Sequence, residues 1–497
     1  MHGPYTGRVA QCSRPSRQAA ATHSQLSKDN LCRDYSKGAA MAEKQYDGLS
    51  SLSSSDCKRN TLLGDAPLLR AVGFWALAAS IINLTIGGGI FVLPGTLAAT
   101  MGAAAPLAFV FGALVFVPVA LCFSAAGSRV SSSGGPYTYV RAAFGPFSGF
   151  VIGAVFWISN AAASGGMAAA LVDQASLIWP LVGHSLPRAA VILAAYSMLF
   201  ALNARGIRAG AVAIILLATI KLLPLLLLAT LGAAHMRASN LLGPVTLNWS
   251  AMGNAMVIVI FAYSGLENAL QPSGEVRNPS KVVPRATLAA TAIVVGLYVG
   301  LQTVAQGVLG RPLSGRPAPL AALADAIVPG AYTVLLIVAS VSMFGTLQGD
   351  LLGSSRLIYA LAGDGYLPAA LSRVSEDRRV PLPAVATHAA AVSVLTILGS
   401  FKALVLMSGG AYCLVYFGCC AASWRLQRLD VREHGAPFVL FGGPIVPLIA
   451  CLSLILILMT LARSEWLAIG CALAAVIALA GTARWRSAVK VASEKTT

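Results

Sequence analysis

Long apolar runs separated by short polar segments follow one another from about residue 71 almost to the C-terminus. A helix needs about 20 apolar residues to cross roughly 30 Å of hydrocarbon, and each of these runs approaches or exceeds that length. The runs are continuously apolar, whereas barrel strands alternate apolar and polar residues over about ten positions. We therefore predict an all-α membrane protein of about twelve transmembrane helices, at about residues 71–98, 104–127, 144–172, 187–203, 209–233, 252–272, 284–310, 331–361, 383–399, 403–424, 437–461 and 464–483.

Two of the predicted spans are interrupted at glycine. Span 1 contains Gly87-Gly88-Gly89, and span 6 contains Ser264-Gly265. The breaks stand five spans apart, at corresponding positions of two five-helix halves, and paired interruptions of this kind indicate a binding site near the membrane midplane. The predicted halves cover about residues 71–233 and 252–424, and two additional helices follow at about 437–483.

The first break, IINLTIGGGIFVLPG at residues 81 to 95, frees backbone groups that lipid cannot satisfy, so it must line protein or a polar cavity. A half-helix beginning near Gly89 would present unpaired N–H groups and the positive end of its dipole, which suit a carboxylate. The carbonyl of Thr85, upstream of the break, suits an ammonium. The alternative is that the glycines only allow neighbouring helices to pack closely.

The second break lies beside an acidic side chain, Glu267. A carboxylate within a span is costly, so we expect Glu267 to face the interior, as a functional group or alternatively as a structural hydrogen-bonding group. The carbonyls of Phe261 and Ser264 are predicted to hold an amino group. The candidate binding residues are Thr85, Ile86, Gly87, Gly88, Gly89, Phe261, Tyr263, Ser264 and Gly265, with Phe344 and Tyr412 as further pocket side chains. The bulk of Ile86, Tyr263, Phe344 and Tyr412 favours a neutral or apolar ligand.

Lys221 lies about twelve residues into span 5 and is therefore expected near mid-membrane. Burial disfavours an ammonium, so such a lysine can exchange a proton within the working pH range. The alternative is a lysine that snorkels to the interface, past nearly a dozen apolar residues. We predict that Lys221 and Glu267 take part in proton coupling.

Two further charged residues, Asp350 and Arg356, lie in span 8. A charged group in a span usually pairs with another charge or faces water. We predict a pairing or gating role for both, with Arg356 either the partner of Asp350 or directed to the cytoplasmic interface.

Composition agrees with a membrane protein, because 57% of the 497 residues are hydrophobic, 11% are charged and the mean hydropathy is +0.75. The net charge of +17 resides in the tails and in alternate short loops rather than along one face, which argues against nucleic-acid binding. This placement predicts cytoplasmic termini in a multi-pass inner (plasma) membrane protein. We expect residues 1–70 to be a disordered cytoplasmic tail, in which Met41 is a second candidate start, and residues 484–497 to be a cytoplasmic tail attracted to anionic lipid.

Motifs for other classes of protein are missing from the sequence. The nine cysteines have no regular spacing, so neither a disulfide framework nor a metal site is expected. The six histidines are far apart, which rules out an HExxH zinc motif, and the sequence contains no GK dipeptide and hence no P-loop. We expect no cofactor, and a transport function rather than an enzymatic one.

Four segments resemble the amino acid-polyamine-organocation superfamily of transporters. GGGIFVLPG is similar to that family's span 1 signature, and GPYTYVRAAFGP (135 to 146) to its loop between spans 2 and 3. SGLENALQPSGEVRNPSKVVPRA resembles span 6 with the following loop, and SMFGTLQGDLLGSSRLIYALAGDGYLP resembles span 8 and its exit. The resemblance covers about residues 71 to 425. Gly88 replaces a hydroxyl that touches substrate carboxylate in many relatives, so this contact must come here from backbone N–H groups.

The resemblance implies a five-plus-five inverted repeat in which discontinuous spans 1 and 6 enclose an amino acid, with alternating access. In proton-coupled relatives, a span 5 lysine followed by LLP contacts spans 1 and 8 where sodium sits in sodium-coupled cousins, and Lys221 matches that pattern. An amino acid/proton symporter is therefore the first hypothesis. Two alternatives remain open: an amino acid or amino acid/polyamine exchanger, which Glu267 favours, and a membrane-embedded amino acid sensor. The expected oligomeric state is a monomer or a weak homodimer.

Overall fold

The computed structural model describes residues 72–494 except 131, 133, 205–210, 247, 376–379 and 434, with the side chains of 211–218 and 483–494 left out. The predicted tail at residues 1–70 lies outside the described residues. The described part of the chain is helical, with isolated β-bridges and no strand. Apart from the one-turn helix Ala238–Leu241 and short 3-10 helices, its helices are α1 Phe74–Thr85, α2 Gly89–Met101, α3 Ala105–Arg129, α4 Pro136–Phe144, α5 Pro146–Ile178, α6 Ser185–Ala204, α7 Ala211–Ala233, α8 Trp249–Tyr263, α9 Leu266–Ala269, α10 Pro279–Leu309, α11 Pro319–Ile327, α12 Ala331–Gly363, α13 Leu382–Leu398, α14 Phe401–Arg428, α15 Ile445–Leu458 and α16 Arg463–Glu494.

Eight helices of the described residues are long and apolar enough to cross a membrane, and the bent pair α1 and α2 makes a ninth when taken as one span. Shorter apolar helices at Thr219–Ala233, Leu382–Leu398 and Ile445–Leu458 coincide with predicted spans 5, 9 and 11. The prediction of a multi-pass helical membrane protein is thus confirmed. The number of twelve spans and the repeat stay predictions. The last helix continues to Glu494, past the predicted end of span 12.

The helices differ in how deeply they are buried. The spans formed by α5, α8 with α9, and α14 are mostly enclosed by other helices, whereas α6 and α16 expose most of their surface. Large apolar side chains on the peripheral helices, such as Leu186 and Leu467, are exposed, as expected for a surface that faces lipid. The central helices therefore carry the polar groups that lipid would not tolerate.

Loop contacts define two ends of the bundle. At one end, called here the proximal face, the backbone of Val72 bonds to Glu275 and to Arg277. At the other, the distal face, Ala103 N–H donates to the Pro244 carbonyl and Arg237 N–H donates to the Gly307 carbonyl. The segment around Glu275 and Arg277 is thus joined to the residues just before α1 by backbone hydrogen bonds.

Candidate functional site

The first span breaks where the sequence predicted. Helix α1 ends at Thr85, α2 begins at Gly89, and the two helix axes differ by 44°. Glycine is needed there because α12 and α5 press on the break. A Cβ on Gly88 would lie 2.7 Å from Met343 Cγ, and one on Gly87 would lie 3.2 Å from Thr346 Cγ2. The Gly88 N–H points at Met167 Sδ, 3.3 Å away, a weak acceptor that a carboxylate could replace.

The second span breaks at Ser264 and Gly265, between α8 and α9. Gly265 has φ +129°, a conformation that is essentially restricted to glycine. It packs directly on the first break, since a Cβ added to it would lie 2.7 Å from the Thr85 nitrogen. The two interruptions predicted from separate segments therefore meet in space.

A cavity lies between the two breaks. It is lined by residues of both breaks and by side chains of α5, α12 and α14. Its lining residues are Leu84, Thr85, Gly87, Gly88, Gly89, Ala163, Ser164, Met167, Phe261, Ala262, Ser264, Gly265, Asn268, Thr346, Asp350 and Tyr412. Seven of the nine predicted binding residues are among them, as is Tyr412.

Two predicted binding residues, Ile86 and Tyr263, lie outside the lining of this cavity. Ile86 is fully buried, and its carbonyl faces Lys221 instead. The Tyr263 hydroxyl donates to the Phe109 carbonyl at 2.9 Å, and its ring stacks on Tyr298. The prediction that Tyr263 shapes the pocket is therefore wrong for the described arrangement, because aromatic packing between α3, α8 and α10 holds the ring away. Phe344 is also outside the lining.

Two of the three carbonyls predicted to hold an amino group, those of Thr85 and Phe261, already have donors. The Thr85 carbonyl accepts from Tyr298 OH and from Gly87 N–H, both at 2.8 Å. The Phe261 carbonyl accepts from Ser264 Oγ at 2.7 Å and from Ser264 N–H at 3.2 Å. These bonds stabilise the two breaks, and an ammonium at either carbonyl would have to share or displace them.

Lys221 lies at the junction of α1, α7 and α12. Its side chain is 3% exposed, and Nζ donates to the Asn83 carbonyl at 3.3 Å, the Ile86 carbonyl at 3.5 Å and Thr346 Oγ1 at 3.2 Å. All three acceptors are uncharged. The ammonium is therefore buried rather than snorkelling, and it contacts the segments that correspond to spans 1 and 8.

Glu267 is fully buried behind the second break. Its Oε1 accepts from Gly265 N–H at 2.7 Å, and its Oε2 accepts from Tyr416 OH at 3.0 Å. It is not part of the cavity lining. Both carboxylate oxygens thus hold the break in shape, which favours the structural alternative over a role in proton coupling.

Asp350 lines the cavity, and its partner is a histidine. His388 Nε2 is 3.0 Å from Asp350 Oδ2, and Arg356, the partner considered from the sequence, is exposed. Of the two alternatives for Arg356, pairing with Asp350 is therefore wrong, because His388 on α13 fills that position in the packed bundle, and the direction toward the cytoplasmic interface stays a prediction. His388 is not among the functional residues predicted from the sequence. Its position in an apolar span could have indicated a function, since an ionisable residue within a span is itself a functional candidate.

The proximal side of the cavity is closed by contacts between α4 and the segment that follows α12. Arg141 Nη1 lies 2.7 Å from Asp364 Oδ2, and Tyr137 OH donates to the same carboxylate oxygen. Burial, with Asp364 beside it, raises the pKa of Tyr137 above its usual value, so the phenol keeps the proton that it donates. Gly134 N–H adds a bond to the Gln271 carbonyl at 2.8 Å.

A second, separate cavity lies on the distal side of the central one. It is lined by Val92 and Thr96, one and two turns beyond Gly89 on α2, and by Ala170 and Asp173 on α5. The two sides of the central cavity therefore differ: a further cavity lies on the distal side, and hydrogen bonds and an ion pair join the helices on the proximal side. This geometry is typical of a membrane transporter whose site opens to one face at a time.

The sequence belongs to the amino acid permease family, whose model matches residues 72–481. The resemblance to the amino acid-polyamine-organocation superfamily is thus confirmed. An uncharacterised transporter of Mycobacterium tuberculosis is 29% identical over 76% of this chain and 84% of its own length. In Bacillus subtilis, the uncharacterised amino acid permease YecA is 26% identical over 74% of this chain and 87% of its own length. The branched-chain amino acid permease BcaP of the same organism is 26% identical over 87% of this chain and 96% of its own length. The chain is a transporter of the amino acid permease family.

Proposed function

We propose that this permease is an amino acid/proton symporter of the cytoplasmic membrane that works by alternating access. The observation that carries the proposal is the position of Lys221, an ammonium buried among neutral acceptors of α1 and α12. Loss of its proton would remove its positive charge and weaken its hold on the Asn83 and Ile86 carbonyls. Because Ile86 directly precedes the cavity glycines, the proton on Lys221 is linked to the shape of the substrate site.

In this proposal the substrate carboxylate binds at the start of α2, where the Gly88 and Gly89 N–H groups and the helix dipole favour an anion. The cavity between the two breaks holds the remainder of the amino acid. The break at Gly265 and the break at Gly87 to Gly89 act as hinges of two inverted five-helix repeats, at about residues 71–233 and 252–424, with the helices at about 437–483 outside the repeat.

The proposed orientation places both termini and the proximal face in the cytoplasm, since the basic residues concentrate on that side. Opening to the cytoplasm then requires Tyr137 and Arg141 to separate from Asp364. The distal cavity beside Thr96 and Asp173 is the proposed entry from outside.

The test is uptake of a labelled amino acid panel into proteoliposomes that contain no internal substrate, with and without an inward proton gradient. We expect uptake by the wild type only with the gradient, and loss of that dependence in Lys221→Ala. The matched control is Lys281→Ala, which removes an exposed lysine at the start of α10. Uptake that ignores the gradient and requires amino acid inside the vesicles would contradict symport and identify an exchanger.

A sensor that binds an amino acid without moving it is the second candidate, favoured by the same cavity. The same vesicles separate the two, because a sensor binds the labelled amino acid without accumulating it. Retention of label after detergent-free filtration, lost when the vesicles are lysed, is the result expected of a transporter.

A further inference from the structure

One carboxylate of the central cavity has no cationic partner among the described residues. Asp350 lines the cavity, and its side chain is 8% exposed. Ser164 Oγ donates to Oδ2 at 2.5 Å, and Ser354 Oγ donates to Oδ1 at 3.0 Å. His388 Nε2 lies 3.0 Å from Oδ2. Three donors on one carboxyl group are the environment of an ionised carboxylate.

The tautomer of His388 is determined by a tryptophan. Trp157 Nε1 lies 3.0 Å from His388 Nδ1, and an indole nitrogen is only a donor. Nδ1 must therefore accept, which places the imidazole proton on Nε2, where it is donated to Asp350. A second proton on Nδ1 would break the bond to Trp157. With Nδ1 accepting from Trp157, the imidazole of this arrangement carries one proton, on Nε2, and the described contacts of Asp350 include no Lys or Arg side chain.

Among the side chains that the structure describes, no neighbouring helix supplies the missing positive charge by direct contact. Besides His388, the buried titratable groups of the helices around Asp350 include Tyr196, Tyr412 and Lys221. Tyr196 OH is directed to the Ser164 carbonyl and Tyr412 OH to Asn160 Oδ1. Lys221 bonds to Thr346, one turn away, and to α1 carbonyls. The remaining charged side chains of α5, α6, α11 and α12 are partly or fully exposed, namely Asp173, Arg188, Asp325 and Arg356.

The position of Asp350 in the cavity separates it from the carboxylate subsite. Thr346 packs on the break at Gly87, and Asp350 lies four residues further along α12, about 6 Å along the helix axis. The α-ammonium of an amino acid is one carbon away from its carboxylate, so it stays close to the break. A long basic side chain extends several carbons further and covers this distance.

We propose that Asp350 is a specificity-determining residue that receives a cationic side chain, so that this permease takes basic amino acids in preference to neutral ones. His388 and Trp157 are positioning residues, because Trp157 selects the imidazole tautomer that donates to this carboxylate. The proposal rests on the proposed function, and it differs from the substrate that side-chain bulk alone favoured. A neutral substrate of the same size would leave a buried carboxylate without its counter-charge, which a site of this kind rejects.

The test compares lysine with norleucine, which has the same chain without the ε-ammonium, by ligand-induced thermal stabilisation of the purified protein in detergent. We expect wild-type protein to bind lysine at least about tenfold more tightly, since a hydrogen-bonded charge is worth about 1.5–3 kcal/mol. Asp350→Asn should remove the preference. Ser355→Ala should keep it, because Ser355 is buried on the same helix and bonds only to the Leu352 carbonyl.

The positioning residues have their own readout. In Trp157→Phe the Nδ1 of His388 loses its donor, so Nε2 is no longer obliged to donate to Asp350, and stabilisation by lysine should fall while stabilisation by norleucine is unchanged. A merely structural role of Trp157 would weaken the binding of both ligands equally. An unchanged lysine preference in Trp157→Phe would overturn the positioning role.

Two results would overturn the specificity proposal, and wild-type protein alone suffices for both. One is norleucine binding as tightly as lysine, and the other is no stabilisation by lysine. If Asp350→Asn does not fold, the comparison of lysine with norleucine on wild-type protein still tests the specificity proposal. A failure of the proposed transport function would give a different result, because lysine would bind selectively to purified protein but would not accumulate in vesicles.

Discussion

Gly265 lies against the backbone of Thr85, so closely that a Cβ on Gly265 would come within 2.7 Å of the Thr85 nitrogen. The relationship joins the two helix breaks, one from each predicted half of the chain. It also explains why the second break carries glycine, since both the approach and φ +129° exclude a side chain. The cavity is bounded on two sides by backbone rather than by side chains.

Gly265→Ala should therefore damage the site as a whole. The strained conformation alone costs about 1 to 3 kcal/mol, and the contact with Thr85 adds to it. We expect a lower melting temperature in detergent and a loss of substrate-induced stabilisation. Gly300→Ala is the matched control, because Gly300 is in the middle of α10 with no atom within 4 Å of an added Cβ. A variant at Gly265 as stable as the one at Gly300 would contradict this account.

Thr346→Val tests the contact between Lys221 and α12. The substitution keeps the branched shape and removes Oγ1, which lies 3.2 Å from Nζ. A hydrogen bond to a charged group is worth about 1.5 to 3 kcal/mol, so gradient-driven uptake should fall by roughly tenfold or more. The measurement is initial uptake rate in proteoliposomes against the imposed proton gradient.

Thr396→Val is the control for that experiment. Thr396 is also buried, and its hydroxyl donates within its own helix, to the Val392 carbonyl at 2.7 Å. Gradient-driven uptake by Thr346→Val at the level of this control would separate Thr346 from the coupling mechanism.

Glu267→Gln distinguishes a structural from a proton-coupling role for Glu267. The amide can accept at one position only, so either Gly265 N–H or Tyr416 OH loses its acceptor, at a cost of about 1 to 3 kcal/mol. We expect a lower melting temperature with the dependence of uptake on the proton gradient retained. Glu465→Gln, at the start of α16, is the control, since Glu465 also accepts a backbone N–H, from Ala462. Uptake that no longer responds to the gradient in Glu267→Gln would assign proton coupling to this carboxylate.

The apolar runs and the two glycine breaks could be predicted because both depend on local sequence. A continuous apolar run requires a helix in lipid, whatever its neighbours, since its backbone polar groups have no other partner there. The consecutive glycines Gly87 to Gly89 also act locally, because glycine lowers the helix propensity of its own segment whatever packs against it. The buried position of Lys221 followed from its distance to either end of an apolar run.

Side-chain direction could not be predicted in the same way. Central helices such as α5 and α14 are apolar nearly all round, so the sequence contains no amphipathic period to tell which face meets the cavity. Helix α8 gives an example of the same difficulty. Tyr263 is directed toward Phe109 and Tyr298, whereas Phe261, two residues earlier, lines the cavity. Only the packing of α3, α8 and α10 decides between them.

The sequence by itself determined a helical membrane protein with two interrupted spans, a buried lysine and a transporter resemblance, because hydropathy and glycine content act within one segment. The tertiary structure alone decided that Asp350 pairs with His388, 38 residues away, and that Glu267 secures the break at Gly265. A buried polar group takes the partner that the packed helices bring within hydrogen-bonding distance, and that distance depends on the relative placement of several helices at once.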